Sequence, residues 1–190
     1  MDKDHLISRR SFIKTASLIG SGFAIGFNFL QAKRELNSEF SPNMYINVLS
    51  DDTVVLSVSK AEMGQGIWTS LPMLIAEEME VDWGKVKVQQ ISKDNFIGTG
   101  GSMSISGYGW EKMREAGAVA KQVLVESAAL KWKVSPVECV AKNSVVYHQK
   151  TRRSTSFGSL VDKASKVKIP KRVRLKKPSE FNLLGKDMLR

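Results

Sequence analysis

Two glycine-rich segments, each followed directly by residues with helical periodicity, constrain the fold of this chain more than any other feature. The first is Gly64-Gln65-Gly66, which follows a run of β-branched residues and precedes a predicted helix over 70–81. The second spans 98–107 and precedes a longer predicted helix over 110–132. Glycines before a helix let consecutive backbone N–H groups turn toward one point, near the positive end of the helix dipole. Both segments therefore predict connections suited to an anionic ligand.

The residues around the first segment predict a β-hairpin and an amphipathic helix. Residues 44–49 and 53–58 are rich in apolar and β-branched side chains and are separated by a short polar turn. In the helix over 70–81, Pro72 fits the first turn, and the carboxylates Glu77 and Glu78 are interpreted as its solvated side. The buried face is predicted to consist of Leu71, Leu74, Ile75 and Met79.

The rest of the chain predicts smaller elements around these two helices. Residues 85–91 alternate as a strand does, 144–148 form a small strand after a helical turn near Pro136, and 157–164 form a further helix. The helix over 110–132 is rich in small residues, which predicts close packing against a neighbour. Its buried face is predicted to contain Trp110, Met113, Gly117, Ala120 and Leu124. Together these elements predict an α+β fold, with a small mixed sheet, a hairpin and packed helices.

The N-terminal residues have the pattern of a twin-arginine export signal. Arg9 and Arg10 are followed by Phe12 and then by a weakly apolar stretch that ends near Ala32, a candidate cleavage point. We therefore expect a protein that folds before export and is periplasmic or membrane-associated. A permanent membrane anchor is the alternative interpretation of the same residues.

The 190 residues leave room for one modest domain after the signal. We predict a signal over 1–32, a domain over 33–165, and a basic linker to a missing domain over 166–190. The net charge is +10, and from Lys150 onward there are 13 Lys and Arg against 3 Asp and Glu, so residues 1–149 are neutral overall. A basic tail on a neutral domain argues against a nucleic-acid-binding fold. The tail itself could be a solvated linker or could bind an anionic surface.

Cysteine and histidine are too few for most metal sites. Cys139 is the single cysteine, which excludes an intramolecular disulfide and an iron–sulfur cluster held by this chain alone. With only His5 and His148, a histidine-based metal site is equally improbable. Any redox group must then be organic, or a metal carried on an organic ligand.

The glycine segments carry the best candidates for ligand binding. The carboxamide of Gln65 can pair with the edge of a heterocycle, and the hydroxyls of Ser102 and Ser104 add polar groups beside Gly100 and Gly101. Neither segment has the spacing of a P-loop or of a dinucleotide fold. The alternatives are that the first merely satisfies backbone geometry and that the second is a flexible connector.

Catalysis by side chains has little support in the sequence. Glu62, like Glu77 and Glu78, is an acid–base candidate only by residue type. Ser102 as a nucleophile lacks a histidine partner, because His148 is placed in a surface strand.

The same residues resemble a known enzyme family. The motif 61–66 with Thr69 and the run 74–82 are similar to the molybdopterin-binding region of the xanthine dehydrogenase and aldehyde oxidase family. The motif 99–104 and the run 110–118 resemble the branch typified by the isoquinoline 1-oxidoreductase β-subunit, which also begins with a twin-arginine signal. The resemblance extends to residues 181–186.

This resemblance implies a large subunit that binds molybdenum through molybdopterin, often as the cytosine dinucleotide. Such enzymes oxidise an aldehyde or an N-heterocycle with oxygen from water, and a separate small subunit carries 2Fe-2S clusters. The implied cofactor contacts are Gly64, Gln65, Gly66, Thr69, Gly100, Gly101, Ser102 and Ser104.

Two departures from the family pattern are visible. The stretch between Ile91 and Thr99 is shorter than usual, and family members are several times longer, with their catalytic glutamate near the far end. No catalytic residue can be assigned here. We expect the N-terminal part of a large subunit, either truncated or split from its other half. The alternative is an exported binding or interaction domain without catalysis.

Overall fold

The computed structural model describes residues 39–91 and 101–186. The predicted export signal and Gly100 lie outside the described residues. The helices are α1 (Ile67–Met79), α2 (Trp110–Trp132) and the short α3 (Val161–Ala164). The strands are β1 (Glu39–Asn43), β2 (Ile46–Leu49), β3 (Val54–Val58), β4 (Val86–Gln90), β5 (Cys139–Lys142), β6 (Val145–His148) and β7 (Arg153–Ser156).

A four-stranded mixed sheet has the order β1-β2-β3-β4. The predicted hairpin is formed by β2 and β3, which pair antiparallel with Asn47 opposite Val55. Strands β3 and β4 are parallel and are connected through α1, so they form a β-α-β unit. This arrangement confirms the predicted α+β fold. Strand β1 was not predicted, because Pro42 interrupts it; as an edge strand it tolerates a residue without an N–H donor.

A second, antiparallel sheet has the order β5-β6-β7. Only β6 was predicted, since its Val145-Val146-Tyr147 run favours a strand, whereas β5 contains Ala and Lys and β7 is entirely polar. Asn143 and Ser144 both have positive φ angles and form the turn between β5 and β6. The Ser144 hydroxyl accepts from the backbone N–H of Asp82 at 2.9 Å, which attaches this sheet to the end of α1.

Helix α1 begins three residues before its predicted start. Gly66 precedes it in the left-handed conformation, with φ 77°, and the carboxylate of Glu62 accepts from the backbone N–H of Trp68 at 3.0 Å. A capping group six residues upstream leaves no standard signature at the helix start, which explains the missed boundary. Pro72 therefore lies in the second turn rather than the first.

Helix α2 packs closely against α1, as its small residues predicted. A Cβ at Gly117 would overlap the carbonyl oxygen of Ile75 in α1. A π-helical turn, Ile105–Gly109, leads directly into α2. Trp110 was expected in the buried face but is 43 % exposed, because it lies at this irregular helix start. No helix in residues 39–91 and 101–186 has the length and apolar content needed to cross a membrane.

The interpretation of Glu77 and Glu78 as solvated was wrong. Both side chains are 0 % exposed, because a segment that we term the C-terminal strap, residues 166–184, covers this side of α1. Glu77 accepts from the consecutive backbone N–H groups of residues 182–184 at 2.7–3.0 Å. Glu78 accepts from the backbone N–H of Lys176 at 3.0 Å and pairs with Arg114 of α2 at 2.6 Å.

The strap is therefore attached to the domain rather than freely solvated. Lys176 lies between Glu77 at 2.5 Å and Glu80 at 2.6 Å. The Arg114 guanidinium stacks between the rings of Trp110 and Phe181, 5.5 and 5.3 Å from their centroids. That this segment also leads to a further domain stays a prediction.

Candidate functional site

The two glycine segments face the same cavity, which has a volume of about 640 Å³. One segment follows β3 and the other precedes α2, and the close packing of α1 on α2 brings their ends together. The cavity is lined by Lys60, Met63, Gln65, Ile67, Gly101, Ser102, Ser104, Ile105, Ser106 and Trp110. Its size lies within the range of small-molecule and cofactor sites.

In the first segment, backbone N–H groups converge on one point, as expected of a glycine turn, but that point holds the carboxylate of Glu62. Its Oε1 accepts from Gly64 at 2.8 Å and from Gly66 at 3.1 Å. The hydrogen bond from the backbone N–H of Trp68, with those from Gly66 and Gly64, lowers the pKa of Glu62 below its ordinary value. These donors are satisfied within the chain, so an anionic ligand has to be bound by other groups of the cavity.

The Gln65 side chain is folded back onto its own loop. Its Oε1 accepts from the backbone N–H of Met63 at 2.6 Å, and its Nε2 donates to the carbonyl of Ala61 at 2.8 Å. A carboxamide has two N–H donors and two acceptor lone pairs, so one of each remains. The side chain is therefore held in one orientation in the cavity wall and retains one donor and one acceptor.

The second segment closes on itself through its hydroxyl groups. The Ser104 hydroxyl donates to the carbonyl of Gly101 at 2.8 Å, and the Ser106 hydroxyl donates to the carbonyl of Ser102 at 3.1 Å. Gly101 has a φ angle of 63°, which favours glycine. In this arrangement both hydroxyls offer lone pairs to the cavity, and each must rotate before it can donate to an anion.

Lys60 gives the cavity wall a cationic group. It lies two residues after the end of β3 and is 8 % exposed, and its carbonyl accepts from the Trp68 indole N–H at 3.0 Å. The wall also contains large apolar side chains, of which Met63 is 76 % and Trp110 43 % exposed. The site therefore combines an apolar surface with a few fixed polar groups, the usual composition of an organic-ligand site.

The predicted site residues divide into three groups. Gln65, Gly101, Ser102 and Ser104 lie in the cavity wall. Gly64 and Gly66 shape the loop behind the wall, and Thr69 lies in α1, where its N–H donates to the Gly66 carbonyl at 3.2 Å. Gly100 lies outside the described residues.

The sequence did not identify Lys60 or Trp110 as site residues, nor Glu62 as the group that organises the first loop. Lys60 is the residue before the recognised motif, and a lysine next to a glycine turn is the signal that could have found it. Trp110 was assigned to the core by helical periodicity, which fails where the helix begins with a π turn.

His148 is buried rather than in a surface position, with 2 % exposure. Its Nδ1 lies 2.6 Å from the Thr151 hydroxyl and its Nε2 lies 3.4 Å from the Glu138 carboxylate. It is not among the residues that line the cavity. Burial raises the pKa of the Cys139 thiol, as expected of a small buried hydrophobe.

The family model of the molybdopterin cofactor-binding domain matches residues 7–186 of this chain. The match includes both glycine segments, the two packed helices and the C-terminal strap.

Two curated relatives share this similarity. The isoquinoline 1-oxidoreductase subunit beta of Brevundimonas diminuta is 34 % identical over 179 residues, which cover 86 % of this chain and 22 % of the relative. The membrane-bound aldehyde dehydrogenase (pyrroloquinoline-quinone) of Gluconacetobacter polyoxogenes is 31 % identical, over 97 % of this chain and 25 % of the relative. The chain thus spans about a quarter of the length of these relatives.

Among solved structures, quinoline 2-oxidoreductase from Pseudomonas putida 86 is similar to this chain with a TM-score of 0.51 and 16 % identity. The similar region covers 66 % of this chain and 18 % of that one. At this identity the likeness shows a shared fold.

Proposed function

Because this chain belongs to the molybdopterin cofactor-binding domain family, we propose that it forms the N-terminal, cofactor-binding portion of a molybdenum hydroxylase large subunit. The observation that carries this proposal is the convergence of both glycine segments on one cavity of about 640 Å³. The similarity to curated large subunits, of which the chain spans about a quarter, supports the assignment to a portion of the enzyme.

The residues of the cavity fit an organic cofactor with a planar heterocycle and an anionic group. The exposed faces of Met63 and Trp110 suit the heterocycle, and the remaining donor and acceptor of Gln65 suit its polar edge. The Lys60 ammonium and the hydroxyls of Ser102 and Ser104 suit the anionic group. The N–H groups of the first loop do not, because Glu62 occupies them.

We assign distinct roles to these residues. Gln65 orients the heterocycle, and Lys60 contributes positive charge at the wall. Rotation of the Ser104 hydroxyl away from the Gly101 carbonyl supplies a hydrogen-bond donor to the anion. Gly64, Gly66 and Thr69 act indirectly by shaping the loop that carries Gln65. Gly100, which precedes Gly101, is proposed as a further contact of the cofactor.

The bound cofactor, proposed to be molybdopterin or its cytosine dinucleotide form, would supply the redox chemistry of substrate oxidation. The proposed substrate is an aldehyde or an N-heterocycle, oxidised with oxygen from water. The remainder of the large subunit and a 2Fe-2S small subunit are the proposed partners, with electrons passing to the latter. The names of the two relatives, an isoquinoline oxidoreductase and an aldehyde dehydrogenase, support this substrate class.

We further propose twin-arginine export of the assembled enzyme, to a periplasmic or membrane-associated location. The pair Arg9 and Arg10 with the following apolar residues supports export. The membrane-bound relative supports membrane association.

The test is coexpression of this chain with the downstream part of the large subunit and the iron–sulfur subunit. In the purified complex we expect molybdenum, measured by plasma mass spectrometry, and a pterin, measured by fluorescence after oxidation, in equal amounts. Pyrroloquinoline quinone is assayed in the same sample, because the name of one relative includes that cofactor.

A pair of variants tests whether the cofactor binds in this cavity. Gln65→Leu removes the polar groups of the side chain, whereas Gln149→Leu alters an exposed glutamine in the turn after β6. We expect a loss of molybdenum and pterin with Gln65→Leu alone. A complex that lacks both molybdenum and pterin, or that contains pyrroloquinoline quinone instead, would contradict the proposal and favour a non-catalytic binding domain or a different cofactor.

A further inference from the structure

The outer side of the C-terminal strap is a row of basic side chains. Over 167–177 the strap has neither helix nor strand, and half-buried apolar residues alternate with exposed basic ones. The half-buried residues include Val167, Ile169, Val173 and Leu175, and the exposed ones are Lys168, Lys171, Arg172, Arg174 and Lys177.

Glu180 is the single acidic residue of the strap. Residues 163–179 contain eight Lys and Arg and no Asp or Glu. Lys176 points inward and is neutralised by Glu77 and Glu80, and Arg174 pairs with Glu180. Lys168, Lys171 and Arg172 form no ion pair with the part of the chain that the structure describes.

The attachment of the strap keeps this row on one side of the domain. At its far end, Glu77 holds the backbone of residues 182–184 and Glu78 holds that of Lys176. At its near end, Val167 packs against the hydrophobic core. A basic row held between two fixed ends presents its charges together, unlike a disordered tail in which they repel and spread apart.

We propose that this row binds the anionic headgroups of a lipid bilayer. Clustered lysines and arginines are attracted to anionic lipid surfaces without any need for specific pairing geometry. Stable protein interfaces are depleted in lysine and enriched in aromatic residues. Here, four of the eight basic residues are lysines within 163–171, and residues 166–177 include no aromatic residue. The absence of aromatic side chains also disfavours single-stranded nucleic acid, which stacks its bases on them. This inference is independent of the cofactor.

The experiment is cosedimentation of the full chain with vesicles of phosphatidylcholine alone and of phosphatidylcholine with phosphatidylglycerol in equal parts. The test variant replaces Lys168, Lys171 and Arg172 with glutamine. The control variant makes the same change of charge at Lys87, Lys133 and Lys142, which are exposed elsewhere on the domain. Because both variants keep the N-terminal apolar stretch, any binding by that stretch is common to them.

We expect the wild type and the control variant to bind the anionic vesicles and to dissociate at high salt. The test variant should lose at least about tenfold in partition coefficient, since each basic residue near the surface contributes to binding. Equal binding by the two variants would overturn the proposal. So would equal binding to vesicles of phosphatidylcholine alone, or strap-dependent binding to duplex DNA or to an acidic polypeptide without binding to anionic vesicles.

Discussion

Glu62 illustrates how a single side chain organises the first glycine loop. Its two oxygens accept from the backbone N–H groups of Gly64, Gly66 and Trp68. These donors precede α1 or belong to its first turn, where no intrahelical acceptor exists. The carboxylate thus provides the acceptor that the helix start lacks, and it holds the backbone on both sides of Gln65.

We predict that Glu62→Ala increases hydrogen exchange at the amides of Gly64, Gly66 and Trp68 by about tenfold or more, because three charge-assisted hydrogen bonds are lost. Glu62→Gln retains one carbonyl oxygen and should increase exchange most at the Trp68 amide, since that amide donates to the other oxygen. Exchange is followed residue by residue by NMR.

Glu115→Gln, an exposed change in α2, serves as the control for these exchange rates. Unchanged exchange in Glu62→Ala would show that the loop conformation is set by the glycines alone.

At Gly117 the backbone of α2 lies so close to α1 that a side chain has no room. Alanine normally stabilises the interior of a helix relative to glycine by about 1 kcal/mol. Here its Cβ would overlap the Ile75 carbonyl and lie 3.1 Å from the Glu78 Cβ. We predict that Gly117→Ala lowers the free energy of unfolding by about 1–3 kcal/mol, the usual cost of overpacking.

Thermal unfolding measures this effect, with Glu115→Ala on the exposed side of the same helix as the reference. A Gly117→Ala protein that is more stable than the wild type would mean that the helices can separate at little cost.

Among the secondary-structure elements, the strap and α1 interact mainly through charge. Burial alone lowers the pKa of Lys176, but its hydrogen bonds to Glu77 and Glu80 outweigh this effect, and the pKa is raised. We predict that Lys176→Met lowers the free energy of unfolding by about 2–3 kcal/mol, because two carboxylates lose a buried partner. The loss stays moderate because the backbone donors to Glu77 remain.

Urea unfolding tests this prediction. Lys177→Met is the matched control, since the adjacent side chain is exposed and its replacement should change stability by less than about 0.5 kcal/mol. Equal effects of the two substitutions would contradict a specific attachment of the strap at Lys176.

The sequence predicted the elements whose signals are local. The β2–β3 hairpin, α2, β4 and most of α1 follow from apolar periodicity and turn residues. The burial of Glu77 and Glu78 depends instead on a segment about 100 residues away in the chain. Helical periodicity shows which side of a helix is apolar, but it cannot show that a polar side is covered by backbone N–H groups in need of acceptors.

The candidate site was predicted in the same partial way. The glycine segments were found because glycine turns before helices have a local signature. The role of Glu62 as the acceptor within the first glycine turn was not predicted. It can be assigned only when the direction of the Glu62 side chain is known. Lys60 and Trp110 belong to the cavity through the packing of α1 on α2, and the sequence predicted close packing of α2 without identifying its neighbour.

At the scale of the whole molecule, a nearly neutral domain carries a basic strap on one side and a cavity with exposed Met63 and Trp110 on its wall. The buried carboxylate of Glu77, which helps to attach the strap, makes the stability of the domain depend on pH. Burial alone would raise the pKa of Glu77, but the hydrogen bonds from Lys176 and from the amides of residues 182–184 outweigh it and lower the pKa. The unfolded chain therefore binds more protons than the native one in acid.

We predict that the free energy of unfolding is constant near neutral pH and decreases as the pH falls below about 4.5, the ordinary pKa of Glu77. The slope of stability against pH that Lys176 contributes has the opposite sign. Its stabilising contribution is lost only as the pH rises above 10.5, the ordinary pKa of lysine. Urea titrations at successive pH values measure both limits, because the slope against pH reports the difference in bound protons. Glu77→Gln should reduce the slope on the acid side and leave the alkaline side dependent on Lys176 and Glu80. An acid slope that is the same in Glu77→Gln and the wild type would assign the acid sensitivity to carboxylates other than Glu77 and contradict this prediction.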